Sequence, residues 1–518
     1  MTIKAIIKKN TYVDSVSLMA LSTRANDIDG ITQVNISMGT DKNKEVLANN
    51  GLLTDEADQA TAGDLIIVIE AEAGQDMAAL SEAVEEAMTA KKVQATSSGT
   101  TVFTSIQSGV TQRPDANLTV ISVPGEYAYR YAKQALDQDM HAMIFSDNMS
   151  LEEEISLKNS AHEKGLLVMG PDCGTAIING VGLCFANEVR RGSIGIVAAS
   201  GTGAQEISVL VDTFGGGVSQ LIGVGGRDLS QEVGGIMLLD GLMALDADPE
   251  TKVIILLSKT PAPSVAQKIY DRVPEISKPV VICFINGDED DITKSGARYA
   301  KTTKRAALQA VILSGVPEDM IDQHTLNLPL IDEIKAKLSD EQQYVRGLFC
   351  GGTVCQEVYY LLKEQYDNVY SNVADDAHQL ADANQSEGHT LIDFGSDEYT
   401  QGRPHPMIDP TLRLERIIQE AKDPEVGVIA LDFELGYGSM ADPVGVTLPA
   451  LIEAKKIAEA RGQHLEILGF VLGTDGDPQN MAQQIAMLEE IGVTIASSVE
   501  NVGLLSRGFV EKGGTRHV

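Results

Sequence analysis

Ser200-Gly201-Thr202-Gly203 follows an apolar run at 194–199 and leads into residues of helical character. A strand, a Gly-rich turn and a helix in that order leave the first-turn N–H groups without intrahelical partners, and the macrodipole adds about half a positive charge there. The glycines admit an anion closely, and the two hydroxyls add donors. These residue types support a phosphate or carboxylate cradle, set against a plain turn with a serine N-cap. No Gly-Lys-Ser/Thr follows, so this is not a Walker A loop. Ala198 stands where a nucleophile elbow needs glycine, and no base lies near Ser200 in sequence, which argues against a serine nucleophile. Gly351-Gly352-Thr353 repeats the element after a second apolar run, and this recurrence favours the anion cradle.

Three further loops end apolar runs. Gly170-Pro171-Asp172-Cys173-Gly174 reads equally as a Pro-Asp turn or as a loop turning Asp172 and Cys173 toward a ligand. Gly225-Gly226-Arg227-Asp228 places Arg227 to bind a substrate carboxylate or to pair with Asp228. The loop at 399–410 is stiffened by Pro404, Pro406 and Pro410, and it presents Arg403 and His405 with little entropy left to lose, which suits a catalytic role. His141, His162, His324, His378, His389, His464 and His517 show no spacing that suggests a metal or a triad. The acidic clusters at 287–291 and 474–477 offer oxygen ligands for Mg²⁺, although solvated loops are the stronger reading. No metal ligand is assigned.

The elements that must position these loops follow from periodicity. Residues 1–92 alternate short β-like runs with helical ones and form a small α/β domain. Residues 93–116, rich in Ser, Thr and Gly, read as a linker. From 117 the order strand, helix, strand recurs, which implies parallel sheets whose ligands gather at the carboxyl ends of the strands. The segments 117–191, 192–339 and 344–518 are each such a domain. The last two are copies of one another: 200–206 matches 351–357, 248–256 matches 423–431, and 283–291 matches 469–477, with offsets of 151, 175 and 186. Three matches in one order mark a duplication with loop insertions.

Composition narrows the partners. A chain of 518 residues needs several cores. A net charge of −34 repels phosphate backbones, so nucleic acid is excluded as an expected partner, while small anions can still meet a local cationic site. Five unpaired cysteines, no long apolar run and no secretory leader point to a cytoplasmic location away from membranes.

At these residues the chain resembles two groups. The runs VISVPGEYA, GPDCG, IGIVAASGTGAQE, GVGGRD and DPETKVIILL are similar to the succinyl-CoA synthetase α subunit, and the block from Tyr344 is similar to the matching part of the β subunit. That resemblance implies an α/β fold with a Rossmann-like CoA-binding-type domain at 117–191 and two flavodoxin-like domains after it. Over nearly the whole chain, KKNTYVDSVSLM, FSDNMSLEEEISLK, GGRDLSQEVGGI and GRPHPMIDPTLR resemble the FdrA family. This second resemblance implies a subunit of oxamate carbamoyltransferase in allantoin breakdown, working with two further subunit types in a hetero-oligomer. It would exchange a carbamoyl group between oxalurate or oxamate and phosphate or carbamoyl phosphate. Arg403 would then contact a carboxylate, and His405 would polarise the carbamoyl group. The alternatives are a CoA-dependent acyl-transferring enzyme and a non-catalytic ligand-binding subunit. Two departures separate the chain from the ligases. The loop that carries their phosphohistidine reads Lys294-Ser295-Gly296-Ala297-Arg298, and their supporting glutamate is replaced by Ser258-Lys259-Thr260. ATP-dependent CoA ligation through phosphohistidine is therefore not expected.

Overall fold

The computed structural model describes residues 2–11, 13, 18, 21, 25–26, 28, 30–49, 51–71, 74–89, 102–374, 377–400 and 403–512. They form two compact units, one of Met1–Asp115 with Ser396–Asp409, the other of Ala116–Gly395 with Pro410–Val518.

In the first unit, strand Leu65–Ala71 lies between Thr2–Lys8 and Ile31–Met38, antiparallel to both. Its unbroken apolar run follows from burial on both faces. Leu65, Ile67 and Ile69 pack with Val34, Ile36 and Val84, whereas Ile66 and Val68 pack with Leu47, Leu52 and Ala57. The expected linker lies in part outside the described residues, at 93–101. Within the rest of it, Ile106–Gln112 is a helix, opened by a capping box of Ser105 and Ser108. Two serines sufficed to cap a segment whose composition reads as loop.

The second unit is α/β. A short parallel sheet of Leu118–Ile121, His141–Ile144 and Val168–Met169 carries the helices Gly125–Asp137 and Leu151–Lys164. Ser150 caps the second helix, as its sequence suggests, and Gly165 ends it in the left-handed region.

The duplication is visible strand by strand. In the first copy the parallel order is Arg298–Tyr299, Val280–Phe284, Val253–Ser258, Arg191–Ala198, Val218–Gly223. In the second it is Thr494–Ala496, Glu466–Leu472, Val426–Glu434, Tyr344–Phe349, His389–Asp393, then Val369–Ser371. The hairpin Thr175–Ile178 and Val181–Cys184 extends the first of these sheets, antiparallel to Val218–Gly223. Helix Gly201–Thr213 is buried on almost every side, because one face covers its own sheet and Val209 packs into the core of the second copy.

Lys158, on helix Leu151–Lys164, is fully buried. Its Nζ reaches Glu154 and Asp228, each at 2.8 Å, and donates to the Val224 carbonyl at 2.9 Å. The ammonium thus fastens the 117–191 segment to the first copy. Lys158→Ala would leave the buried Asp228 without a counter-charge and Glu154 with Arg227 alone, so urea unfolding should show about 3–5 kcal/mol of lost stability. A loss below about 1 kcal/mol, the scale of an exposed pair, would rule the fastening out.

Candidate active site

The two Gly-rich turns meet. Helix Gly201–Thr213 of the first copy and helix Gly352–Lys363 of the second begin beside one another, with Ser200 Oγ 2.6 Å from Thr353 Oγ1. Ser200 is the N-cap and accepts from the Gly203 N–H at 3.1 Å. Gly351 caps the second helix without a side chain, and a Cβ there would run into Thr202, so the close approach of the copies requires glycine. Ser200, Gly201, Thr202 and Gly203 are thus brought together with Gly351, Gly352 and Thr353.

Two further residues join them from separate strands. Lys259 follows strand Val253–Ser258, and its Nζ lies 2.9 Å from the point a Cβ on Gly352 would occupy; Asp393 Oδ2 lies 2.6 Å from the same point. Lys259 makes no ion pair or hydrogen bond among the described residues. Thr175 Oγ1 lies 3.9 Å from the Cβ position of Gly201, and it is buried without a hydrogen-bond partner. Free first-turn N–H groups, an ammonium without an ion pair among the described residues and an unsatisfied hydroxyl favour an oxyanion, while the Asp393 carboxylate beside Gly352 opposes one. The residues present fit a phosphate at the paired turns.

One helical turn further on, the copies exchange carboxylates. Glu206 of the first copy accepts from the Val499 N–H, at the start of the last helix of the second copy, at 2.8 Å. Glu357 of the second copy accepts from the Thr303 N–H, at the start of helix Thr303–Ser314 of the first copy, at 3.0 Å. Thr303 Oγ1 lies 2.7 Å from Glu206 Oε2 and 2.9 Å from Glu357 Oε2. One hydroxyl hydrogen serves only one of these contacts, so the other requires a protonated carboxyl to donate. Burial pushes Glu206 up to about 7. Burial, with Glu206 beside it, holds Glu357 well above the usual carboxylate range. Glu500, Lys304 and Cys283 are the other titratable groups acting on the pair.

The other expected site residues have structural partners. Gly170–Cys173 packs on Gly225, where a Cβ would overlap the Pro171 carbonyl, while Gly226 opens onto free space. Cys173 is buried against the Thr175 and Gly223 carbonyls, and burial drives its thiol far up, which removes it as a nucleophile. Asp172 is exposed. Arg227 pairs with Glu154 at 2.9 Å rather than with Asp228, which Lys158 occupies. Arg403 and His405 belong to the first compact unit, where Arg403 meets Asn43 and His405 Nδ1 accepts from the Met407 N–H at 3.3 Å.

The 474–477 cluster is not a solvated loop. Asp477 is buried and accepts from Asn187, from the Glu188 N–H and from the Thr474 N–H, each at 2.8 Å. Among the described residues the group spaced for a metal is instead Cys350, Asp432 and Glu434. Arg413 already neutralises it, donating to Asp432 Oδ1 at 2.9 Å and to Cys350 Sγ at 2.8 Å. Of the remaining histidines, His389 is buried and held down to about 3 by burial and Arg346, and His517 lies outside the described residues.

Comparison with known proteins places these modules. Residues 348–506 match the CoA-ligase family, 189–286 the CoA binding domain, and 1–103 the AllF heavy metal-associated domain. The protein YahF of Escherichia coli, described as uncharacterized, is 53% identical over 99% of both chains. The α subunit of ADP-forming succinate–CoA ligase from Methanothermobacter thermautotrophicus is 26% identical over 46% of this chain and 81% of that one. Among solved structures, the apo dinucleotide-forming acetyl-coenzyme A synthetase 1 of Ca. Korarchaeum cryptofilum aligns at 15% identity and a TM-score of 0.33, over 76% of this chain and 82% of that one. The CoA-ligase family match and the succinate–CoA ligase relative mean that the expected exclusion of ATP-dependent CoA ligation is not borne out. The CoA-binding match falls on the first copy rather than on 117–191. Residues 1–103 do not fit a thiolate or imidazole metal centre, since they contain neither cysteine nor histidine.

The carboxyl pair makes stability depend on pH in a defined sense. A carboxyl whose folded value is raised stabilises the fold at low pH, and that contribution is lost as pH rises from 4.5, the ordinary value, through about 7 for Glu206. Glu357→Gln removes one titrating group. The variant should therefore gain stability relative to the parent between pH 5 and pH 8, read as urea midpoints. Parallel midpoints at the two pH values would count against a proton held by the pair.

Proposed function

The chain belongs to the family of the Escherichia coli protein YahF and is built on a core of the succinyl-CoA synthetase-like type; on that premise we propose that it is an enzyme subunit that binds a phosphate group where its two copies meet. The carrying observation is the convergence of two helix N-termini at Ser200 and Thr353, 2.6 Å apart, with Lys259 beside Gly352. Phosphate bound there reacts with a carbonyl group, or leaves one, and the fixed dipoles stabilise the charge that develops on oxygen.

CoA-dependent acyl transfer is the leading reading, supported by the CoA ligases among its relatives. CoA would supply a thiol nucleophile; the chain's own contribution is to hold the phosphate and orient it. Because the loop at 294–298 carries no histidine, the phosphate is held as a bound reactant rather than passed to a side chain there.

The second reading is carbamoyl transfer, favoured by the AllF-type module at 1–103. Phosphate oxygen would attack the carbamoyl carbon of oxalurate, the C–N bond would break, and oxamate would leave with the proton from phosphate. Arg227, Asp172, Gly225 and Gly226 would bind substrate in either reading. Two partner subunits would complete a cytoplasmic hetero-oligomer.

Two assays separate the readings. The purified chain, alone and with partner subunits, is given ATP, CoA and succinate, and thioester with ADP is measured; a parallel mixture holds oxalurate and phosphate, and carbamoyl phosphate is measured. Thioester alone supports the first reading, and carbamoyl phosphate alone supports the second. The phosphate site is tested by calorimetry with inorganic phosphate. Lys259→Ala and Thr353→Ala should each weaken binding about tenfold or more, the worth of one charge-assisted hydrogen bond. Unchanged affinity in both variants would refute the site.

A further inference from the structure

One group at the paired turns works against an anion. Asp393, at the end of strand His389–Asp393, has its Oδ2 2.6 Å from the point a Cβ on Gly352 would occupy, and Lys259 Nζ stands 2.9 Å from the same point. A ligand atom approaching the helix opening over Gly352 therefore comes within reach of a carboxylate and an ammonium together. Asp393 is also fixed in place. Its N–H donates to Asn372 Oδ1 and its carbonyl accepts from Asn372 Nδ2, each at 2.9 Å, while Oδ1 accepts from the Gly395 N–H at 2.8 Å. The residue is only 4% exposed, so the carboxylate is held where it is when an anion arrives.

The other groups at the turns donate. Lys259, the first-turn N–H groups and the Thr175 hydroxyl all offer hydrogens, and that hydroxyl is buried without a partner 3.9 Å from the Cβ position of Gly201. An ionised carboxylate only accepts. Beside sulfate, or any oxyanion that carries no hydrogen, Asp393 is a like charge with nothing to receive, and burial leaves that repulsion poorly screened. Beside hydrogenphosphate it meets a P–OH group. An O–H···O⁻ contact of this kind is short and about twice as strong as a neutral hydrogen bond.

We propose that Asp393 is a specificity-determining residue of the phosphate site: its Oδ2 accepts the P–OH hydrogen of hydrogenphosphate and so selects this ion against oxyanions of equal charge that carry none. The inference rests on the phosphate site proposed above and narrows its ligand. Phosphate monoesters and acyl phosphates, ionised at pH 8, lack that hydrogen too. The ligand class is therefore free phosphate rather than its esters or mixed anhydrides. A P–OH group held at Asp393 also fixes the rotation of the ion, which leaves its other oxygens to Lys259 and the N–H donors.

The test is calorimetry of the full chain at pH 8 with hydrogenphosphate, monofluorophosphate and sulfate, since all three are then dianions and only the first carries a hydrogen. Hydrogenphosphate should bind about tenfold or more tightly than either of the others, the worth of one hydrogen bond to a charged group. Asp393→Asn keeps an oxygen for the Gly395 N–H but loses the charge. In that variant the three affinities should converge to within about threefold, fluorophosphate and sulfate gaining while hydrogenphosphate loses. Lys259→Ala should weaken all three and keep their order. Equal affinities in the parent, or an unchanged preference in Asp393→Asn, would overturn the selection and leave the phosphate site standing. The comparison in the parent decides even where Asp393→Asn does not fold. Binding of none of the three would instead remove the phosphate site, and the selection with it.

Discussion

The reciprocal capping of Glu206 and Glu357 is the constraint on which the rest of the second unit depends. Each carboxyl leaves its own copy to satisfy the opening N–H of a helix in the other, at 2.8 Å and 3.0 Å. Neither helix can keep its first turn satisfied if the copies separate, and neither glutamate can find an equivalent donor at home. The exchange fixes the helices Gly201–Thr213 and Gly352–Lys363 side by side. Their N-terminal turns then meet at Ser200 and Thr353, and the proposed phosphate site rests on that meeting. Burying two acids together is unfavourable unless a proton and fixed dipoles compensate, and here Thr303, the two helix N-termini and a shared proton do so. The apolar contacts add area, and polar contacts such as Ser200–Thr353 and Thr302–Glu500 join the carboxyls in setting register.

Symmetry is broken where chemistry is needed. Asp248 and Asp423 are 175 residues apart, and the same offset pairs Lys259 with Glu434. Equivalent positions therefore carry opposite charges. Lys259 is turned to the opening of the second-copy helix, whereas Glu434 is buried among Cys350, Asp432 and Arg413. The N-caps differ too, since Ser200 closes on Gly203 while Gly351 offers no side chain at all. One duplicated scaffold thus brings a lysine to the paired turns from one copy only, beside Asp393 of the other.

Much of this was legible in the sequence, because periodicity reports burial. The apolar runs at 194–199 and after Tyr344 became strands, the three repeated stretches became equivalent elements, and both Gly-rich turns opened helices as expected. What stayed hidden has a common cause. Lys158, Asp477 and Arg227 are polar residues whose partners lie far along the chain, and residue type alone predicts exposure for them. Glu206 and Glu357 sat inside the matched stretches 200–206 and 351–357, so their equivalence was readable there. Their crossing between copies was not, since a one-dimensional repeat does not say which copy a side chain faces. Arg403 and His405 drew notice through proline stiffening, a local property that carries no information about which unit the loop joins.

Charge logic ties these departures from the resembled ligases together. A phosphorylated histidine needs an acid nearby to orient its imidazole, and the ligases are expected to place a glutamate there. Here the corresponding loop has no histidine, and the stretch in the acid's place reads Ser258-Lys259-Thr260. Either change alone would leave a misfit: an acid without an imidazole would repel phosphate, and a lysine beside a phosphohistidine would compete for its charge. Made together, they remove the side chain that would take phosphate covalently, which agrees with the proposal that phosphate is held by Coulomb attraction and helix N–H groups. A free dianion is more mobile than a covalent one, so its orientation must come from several fixed donors at once. The pairing of two helix N-termini, enforced by Glu206 and Glu357, supplies them.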